Sequence, residues 1–137
     1  MKILTHDQIV QLAEDILKPK DINSLIKFVK KLPKSQWLTG TLYESIYEKG
    51  KYIGIGYCFY GFFDSMPEQI RGVRKYIPAR YEKFPMALVN DGLPLSRASS
   101  CHKDNPKEMK QIFEMIQQIK HPKDRVLAAL KYMRDHP

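Results

Sequence analysis

The chain has 137 residues and a mass of 16.1 kDa, a length typical of one folded domain. Hydrophobic residues make up 43% and charged residues 28%, a balance typical of globular proteins that excludes disorder of the whole chain. Lysine and arginine number 23 against 15 acidic residues, a formal net charge of +8. A surface of this sign attracts polyanions such as nucleic acids and nucleotides, or acidic proteins.

The sequence also makes a membrane or secreted location improbable. No run of 18 apolar residues occurs, so no membrane span is expected. The first ten residues lack the uninterrupted apolar stretch of a signal peptide. The two cysteines, Cys58 and Cys101, are too few for a disulfide framework and favour a reducing compartment. We therefore expect a cytoplasmic (intracellular) protein that makes no membrane contact.

The first region, residues 5–32, is predicted to form an antiparallel helical hairpin. Thr5 and Gln8 have the spacing of a capping box, and the apolar residues that follow repeat at helical intervals. Asp21 can cap a second helix, which Pro33 ends. The polar side of this helix is rich in lysine, a pattern more typical of a solvated face than of a binding site: Lys27, Lys30, Lys31 and Lys34.

The second region, residues 37–92, predicts a β-hairpin followed by an aromatic segment. Tyrosine, threonine and isoleucine favour strands over 40–47 and 51–56, joined by a turn at Gly50. The aromatic residues that follow predict a short buried helix that ends before Pro67, with a third strand as the alternative.

The rest of this region and the loop after it are interrupted by prolines. Residues 67–77 predict a helix with Pro67 at its first position, weakened by Gly72. An irregular stretch follows, in which 84–89 are expected to be extended. Asn90-Asp91-Gly92 predicts a turn, and residues 93–105 predict a long loop.

The third region, residues 105–134, predicts two helices. Asp104 or Asn105 can cap the first, which begins at Pro106, and its apolar stripe is expected to pack on the first two helices of the chain: Met109, Ile112, Phe113, Ile116 and Ile119. The last helix, about 123–134, is expected to direct inward Val126, Leu127 and Leu130. The chain 1–137 is thus predicted to be a single helix-rich α+β domain with about five helices and one small β-hairpin or antiparallel sheet.

The order of short motifs in the middle of the chain resembles a known family. Trp37-x-x-Gly40 precedes the hairpin, Cys58-x-x-Gly61 opens the aromatic helix, and Asn90-Asp91 precedes a loop and an amphipathic helix. This order is similar to that of uncharacterised small domains of actinobacteria and bacteriophages, over roughly residues 37–119. The resemblance implies an α+β fold and an accessory or phage-type gene, and it assigns no catalytic residue. Phe62 and Phe63 stand where the family has small residues.

Candidate catalytic residues lack the context that their chemistry requires. Cys58 is surrounded by aromatic residues, which favours a buried thiol over a nucleophile. Cys101 and His102 are adjacent and would point apart on an extended loop. The loop also holds hydrolase residue types without a nucleophile elbow: Asp91, Ser96, Ser99 and Ser100. A cysteine- or serine-dependent enzyme is therefore the last of three hypotheses.

Metal and cofactor motifs are also missing. The four histidines are dispersed without a paired spacing: His6, His102, His121 and His136. Gly54-Ile55-Gly56 lacks the third glycine of a dinucleotide fingerprint, and glycines in a hairpin usually allow close packing. We expect no metal and no cofactor.

The strongest binding signal is the basic and aromatic stretch 71–83. We expect it to form a polyanion site through these residues: Arg71, Arg74, Lys75, Tyr76, Arg80, Tyr81 and Lys83. Arginine can grip a phosphate with two hydrogen bonds, and tyrosine can stack on a base. Helical spacing would place three of the cations on one face. Further cations could extend the patch: Arg97, Lys103 and Lys107.

Two functional classes therefore lead. The first is a non-catalytic module that binds a phosphate-bearing ligand, either a nucleic acid or a nucleotide. The second is a protein-interaction or inhibitor module of the kind that phage accessory genes encode, with an acidic partner matching the charge. The sequence does not indicate an oligomeric state.

Overall fold

The computed structural model describes residues 2–98 and 106–137. Within these ranges the chain forms six α-helices and a two-stranded antiparallel sheet, which confirms the α+β class. The helices are α1 (His6–Ile16), α2 (Ile22–Lys31), α3 (Phe59–Asp64), α4 (Met86–Asp91), α5 (Pro106–Ile116) and α6 (Pro122–Asp135). The strands are β1 (Tyr43–Glu48) and β2 (Lys51–Tyr57). No helix in the described ranges is both long and apolar enough to cross a bilayer.

The N-terminal helical pair forms as its capping residues predict. The Thr5 side chain accepts a hydrogen bond from the Gln8 amide, and the Gln8 side chain accepts one from the Thr5 amide. Asp21 caps α2 by accepting from the Ser24 amide at 2.8 Å. Helices α1 and α2 pack on each other, and their apolar faces enter the core.

The β-hairpin has the predicted turn, and its first strand is exposed. Glu48 pairs with Lys51 across a two-residue turn, in which Lys49 and Gly50 both have positive φ, at 52° and 78°. Two positive φ values give the turn the twist that antiparallel strands require. Every β1 residue is exposed except Ile46, which is half-buried, whereas β2 runs into the domain and ends at the buried residues Gly56 and Tyr57.

Helix α6 is the hub of the packing. It contacts α2, α4 and α5, and its buried face is formed by Val126, Ala129, Leu130 and Met133. Leu127, predicted to point inward, is only half-buried. Four residues of the predicted stripe are buried on α5, whereas Ile119 lies beyond the helix and is half-buried. The main helical partner of the stripe is α6 rather than the first two helices. The short connection between α5 and α6 makes them neighbours, which leaves α6 to contact α2.

Two elements differ from the sequence expectation. Residues 67–77 do not form an α-helix: a turn follows Pro67, Gly72 has φ 104°, and a single 3₁₀ turn spans Val73–Lys75. A positive φ of this size stops a right-handed helix. Residues 84–89 are not extended, because α4 begins at Met86. The predicted turn at 90–92 is reduced to the left-handed cap at Gly92, φ 69°, since Asn90 and Asp91 belong to the helix. Packing of α4 on α6 stabilises a helix too short to form alone.

Candidate ligand-binding groove

A surface groove of about 990 Å³ is lined by residues from four parts of the chain. Its apolar lining comes from Phe63, Val73, Ile77, Phe84, Pro85, Ala87, Leu88 and Ala98. Its cations are Arg71, Arg74, Lys75, Lys83 and Arg97, and its carboxylates are Asp64 and Glu82. Positive charge therefore predominates around an apolar floor.

Four of the predicted site residues meet in this groove, although the predicted helix does not carry them. Arg71, Arg74 and Lys75 lie on the loop and 3₁₀ turn around Gly72. Lys83 follows the 3₁₀ turn Ala79–Tyr81, and Arg97 belongs to the 3₁₀ turn Leu95–Arg97. Tertiary structure thus assembles the cations that a helical face was expected to align.

The groove arginines differ in how far their side chains are engaged. Arg74 Nη1 lies 3.3 Å from Glu82 Oε1 in an exposed ion pair, and Lys75 Nζ donates to the Glu68 carbonyl at 3.1 Å. The guanidinium groups of Arg71 and Arg97 make no hydrogen bond or ion pair with any residue of 2–98 or 106–137. Both guanidinium groups can therefore donate hydrogen bonds to an anion in the groove.

Tyr76 cannot stack on a ligand, contrary to the sequence expectation. Its side chain is 2% exposed and packs against the Phe63 ring. Its hydroxyl donates to the Ile70 carbonyl at 3.0 Å and accepts from Lys20 Nζ at 3.1 Å. Tyr76 therefore anchors a surface loop in the core, and the cations next to it in the sequence remain at the surface.

Arg80 and Tyr81 are also committed elsewhere. Arg80 makes two hydrogen-bonded contacts of 2.8 Å with the Glu108 carboxylate, and its guanidinium donates to the His136 carbonyl. Tyr81 is 4% exposed, and its hydroxyl donates to the same carbonyl. Neither residue lines the groove. Both belong to a polar cluster that fixes the C-terminal end of α6, so they are not part of the binding site that the sequence predicted.

The same polar cluster perturbs the Glu108 carboxyl. Hydrogen bonds from Arg80 are the main reason that its pKa lies below the ordinary value of 4.5, with a smaller contribution from the Tyr132 hydroxyl at 2.9 Å. The pairing neutralises Arg80, which is a second reason to exclude this arginine from a polyanion site.

Tyr60 is the tyrosine of the groove, and the sequence did not assign it to the site. It lies on α3, is half-buried, and meets the Phe59 ring edge-on at 5.5 Å. Burial raises the pKa of its hydroxyl. Asp64 follows one helical turn later and lines the same groove. In the sequence, only the i, i+4 spacing of Tyr60 and Asp64 on the predicted short helix indicated that these two side chains lie on one surface.

The motifs that carry the family resemblance converge in a structural network. Asn90, which is 1% exposed, accepts from the Phe59 amide at 3.0 Å and donates to the Leu38 carbonyl at 2.9 Å. Asp91 accepts from the Gly40 amide at 3.1 Å. Together these two side chains tie three distant segments together.

Gly61 belongs to the same network because it allows a close backbone approach. A Cβ atom there would lie 1.8 Å from the Leu42 carbonyl oxygen, which itself accepts from the Cys58 amide. These contacts explain the spacing of the motifs as a requirement of packing.

Cys58 is buried as predicted, and it caps α3. Its sulfur accepts from the Gly61 amide at 3.4 Å. Burial raises the pKa of this thiol more than the helix amides lower it. Other candidate residues lie outside the described ranges: Ser99, Ser100, Cys101, His102, Lys103 and the capping candidates Asp104 and Asn105. Within the described ranges, no three metal-ligating side chains cluster.

The lysines near α2 include a structural contact. Lys34 Nζ lies 2.9 Å from Asp124 Oδ2, in a partly exposed ion pair that joins the 3₁₀ turn after α2, Lys34–Gln36, to α6. Lys123 donates to the Lys30 and Leu32 carbonyls at the end of α2. Cations of this region therefore serve helix packing as well as solvation.

No protein-family model, curated protein or solved structure matches the chain. The resemblance to uncharacterised actinobacterial and phage domains stays a prediction.

Proposed function

We propose that the protein is a small non-catalytic module that binds a phosphate-bearing ligand, a nucleotide or a segment of nucleic acid, in this groove. The observation that carries the proposal is the pair of unengaged guanidinium groups, Arg71 and Arg97, that line one groove with an apolar floor. A phosphate with a planar apolar body matches both features. A cytoplasmic location belongs to the same proposal, because nucleotides and nucleic acids are abundant there.

Arginine suits this role for a geometric reason. Its planar guanidinium can donate two parallel hydrogen bonds to phosphate oxygens, and it remains charged at any physiological pH. Arg74 can join when a phosphate displaces the Glu82 carboxylate, since that ion pair is exposed to solvent and weak. The proposed phosphate-binding residues are therefore Arg71 and Arg97, assisted by Arg74, Lys75 and Lys83.

The test is a titration with three probes: pyrophosphate, a nucleoside monophosphate and a short single-stranded oligonucleotide. We expect all three to bind, with oligonucleotide affinity falling steeply as salt rises. The double variant Arg71→Ala/Arg97→Ala should weaken binding of every probe. For the oligonucleotide, each lost phosphate contact should also lower the salt slope by about one unit.

The matched control is Lys30→Ala/Lys31→Ala. This pair removes the same charge from an exposed face of α2. Equal losses from both double variants would indicate diffuse attraction to a basic protein and would overturn the assignment of a site. Failure of all three probes to bind the unaltered protein would overturn the proposed function.

A protein-interaction role is the second candidate, and the hairpin favours it. The described residues include five large hydrophobic side chains that are strongly exposed, and four of them lie on residues 42–52. Tyr43, Tyr47 and Tyr52 are each about 60% exposed, and the last two rings meet edge-on at 6.1 Å. The outer edge of β1 has no neighbouring strand among the described residues. An open strand edge can pair with another chain.

Self-association is the direct measurement for this candidate, since a second copy presents the same strand edge. Sedimentation velocity over a range of concentrations should show a dimer that the double variant Tyr47→Ser/Tyr52→Ser weakens. A monomer at every concentration would contradict pairing between copies of the chain.

A further inference from the structure

The carboxylate of Asp64 is unexpected in a groove that binds phosphate. It lines the same groove as the five cations, and it makes no hydrogen bond or ion pair with any described residue. The other groove carboxylate, Glu82, is already paired with Arg74. Asp64 is exposed, and a carboxylate at this place repels phosphate and accepts hydrogen bonds, so it suits a part of the ligand that donates them.

Asp64 shares a helix with the aromatic ring that the groove offers to a ligand. Tyr60 and Asp64 are one turn apart on α3, a spacing that places both on one side of the helix. Tyr60 is half-buried, lines the groove and packs edge-on against the Phe59 ring, which restricts the movement of its own ring. A planar ring with a donor at its edge fits this pair of side chains.

We propose that Tyr60 and Asp64 form a base-reading end of the groove and that the protein prefers nucleotides whose base carries an exocyclic amine. This inference rests on the proposed function, because it assumes that the arginines hold the phosphate of the same ligand. The base packs on Tyr60, and its amino group donates to the Asp64 carboxylate.

Cytosine and uracil provide the sharpest contrast for this chemistry. Cytosine presents an amino donor at the position where uracil presents a carbonyl acceptor, while ring size and phosphate charge are the same. A carboxylate accepts a hydrogen bond from the first and is repelled by the second. Asp64 should therefore select cytidine over uridine nucleotides.

The experiment is isothermal titration calorimetry with cytidine monophosphate, uridine monophosphate and pyrophosphate. We expect the cytidine nucleotide to bind about tenfold more tightly than the uridine nucleotide, the size of one charge-assisted hydrogen bond. Asp64→Asn should abolish this preference, because an amide both donates and accepts. Pyrophosphate affinity should stay the same or rise, because the variant removes a negative charge.

Two further variants separate base reading from general charge effects. Glu82→Gln removes the same charge from the same groove and should keep the preference for cytidine. Tyr60→Leu should weaken both nucleotides equally while pyrophosphate binding is unchanged. Loss of pyrophosphate binding together with nucleotide binding in Tyr60→Leu would overturn the role of the ring.

The outcomes distinguish this inference from the proposed function. If pyrophosphate binds and the two nucleotides bind equally, the base-reading role of Asp64 is wrong and the phosphate site stands. A preference for cytidine that survives Asp64→Asn also overturns it. If no nucleotide binds, this inference fails. The proposed function fails only if pyrophosphate, the nucleotides and the oligonucleotide all fail to bind.

Discussion

Two polar regions of this protein lie close in sequence but have opposite character. In the network around Asn90, each amide hydrogen-bonding group of the side chain has a backbone partner, and Asp91 accepts from the Gly40 amide. In the groove, Arg71 and Arg97 have no side-chain partner among the described residues.

The contrast shows how a structural motif is distinguished from a binding site. Buried polar groups must be satisfied within the fold, because an unpaired buried group costs free energy. Exposed cations are hydrated and carry no such free-energy cost. Several of them can therefore lie beside an apolar floor without protein partners, and a ligand can supply their contacts. Variants of the network should therefore change stability alone, and variants of the groove should change binding alone.

The largest effect is expected where the core supports the groove from below. Phe113 is 3% exposed and packs at 5.8 Å from the ring of Phe84, which lines the groove. Phe113→Ala should lower the free energy of unfolding by about 3–5 kcal/mol, the usual loss for a buried aromatic residue. Urea denaturation measures this change. Met115→Ala, at an exposed position of the same helix, is the control, and an equal loss there would contradict the packing of α5.

The network itself should be the next most sensitive region. Asn90→Ala leaves the Phe59 amide and the Leu38 carbonyl without their partner and should cost about 2–4 kcal/mol. Thermal unfolding followed by circular dichroism measures the loss. Asn23→Ala, on the exposed face of α2, should stay within about 0.5 kcal/mol. A loss of ligand affinity in the folded Asn90 variant would contradict the expectation that the network affects stability alone.

The groove should show the reverse pattern. Arg71→Ala/Arg97→Ala should leave the free energy of unfolding within about 0.5 kcal/mol per site, because both positions are exposed. Pyrophosphate affinity should fall at least tenfold, the equivalent of about 1.4 kcal/mol. Calorimetry and denaturation on the same preparation give both quantities. Unfolding of this variant would show that the arginines are structural.

A smaller effect is expected from the polar cluster at the end of α6. Arg80 lowers the pKa of Glu108 in the folded state, so the pair contributes stability above pH 4.5, and this contribution is lost as pH falls through the lowered pKa. Glu108→Gln should reduce the loss of stability between neutral pH and pH 3, as measured by unfolding at each pH. An unchanged pH profile would show that the pair contributes nothing.

The smallest change is expected at Cys58. Burial raises the pKa of the thiol, so a thiol reagent at neutral pH should modify this cysteine slowly in the native protein and rapidly after unfolding. Mass spectrometry of the labelled peptide distinguishes Cys58 from Cys101. Fast modification of the native Cys58 would revive the hypothesis of a cysteine-dependent enzyme.

Local signals explain which parts of the fold could be predicted from the sequence. The caps at Thr5 and Asp21, the turn at Lys49-Gly50 and the stripe on α5 depend on neighbours within a few residues. Helix α4 and the loop around Gly72 depend instead on packing partners far along the chain. Their preferences were therefore misread as a strand and a helix.

The sequence by itself determined the charge, the α+β class and the concentration of cations in 71–83, because composition and short-range spacing decide these properties. Only the tertiary structure decided that Tyr76 and Tyr81 are buried, that Arg80 pairs with Glu108, and that Tyr60 and Asp64 line the groove. The physical reason is that the partners of these side chains are distant in sequence. A tyrosine that packs in the core, or an arginine that pairs with a distant carboxylate, is no longer available at the surface site that its sequence spacing predicts.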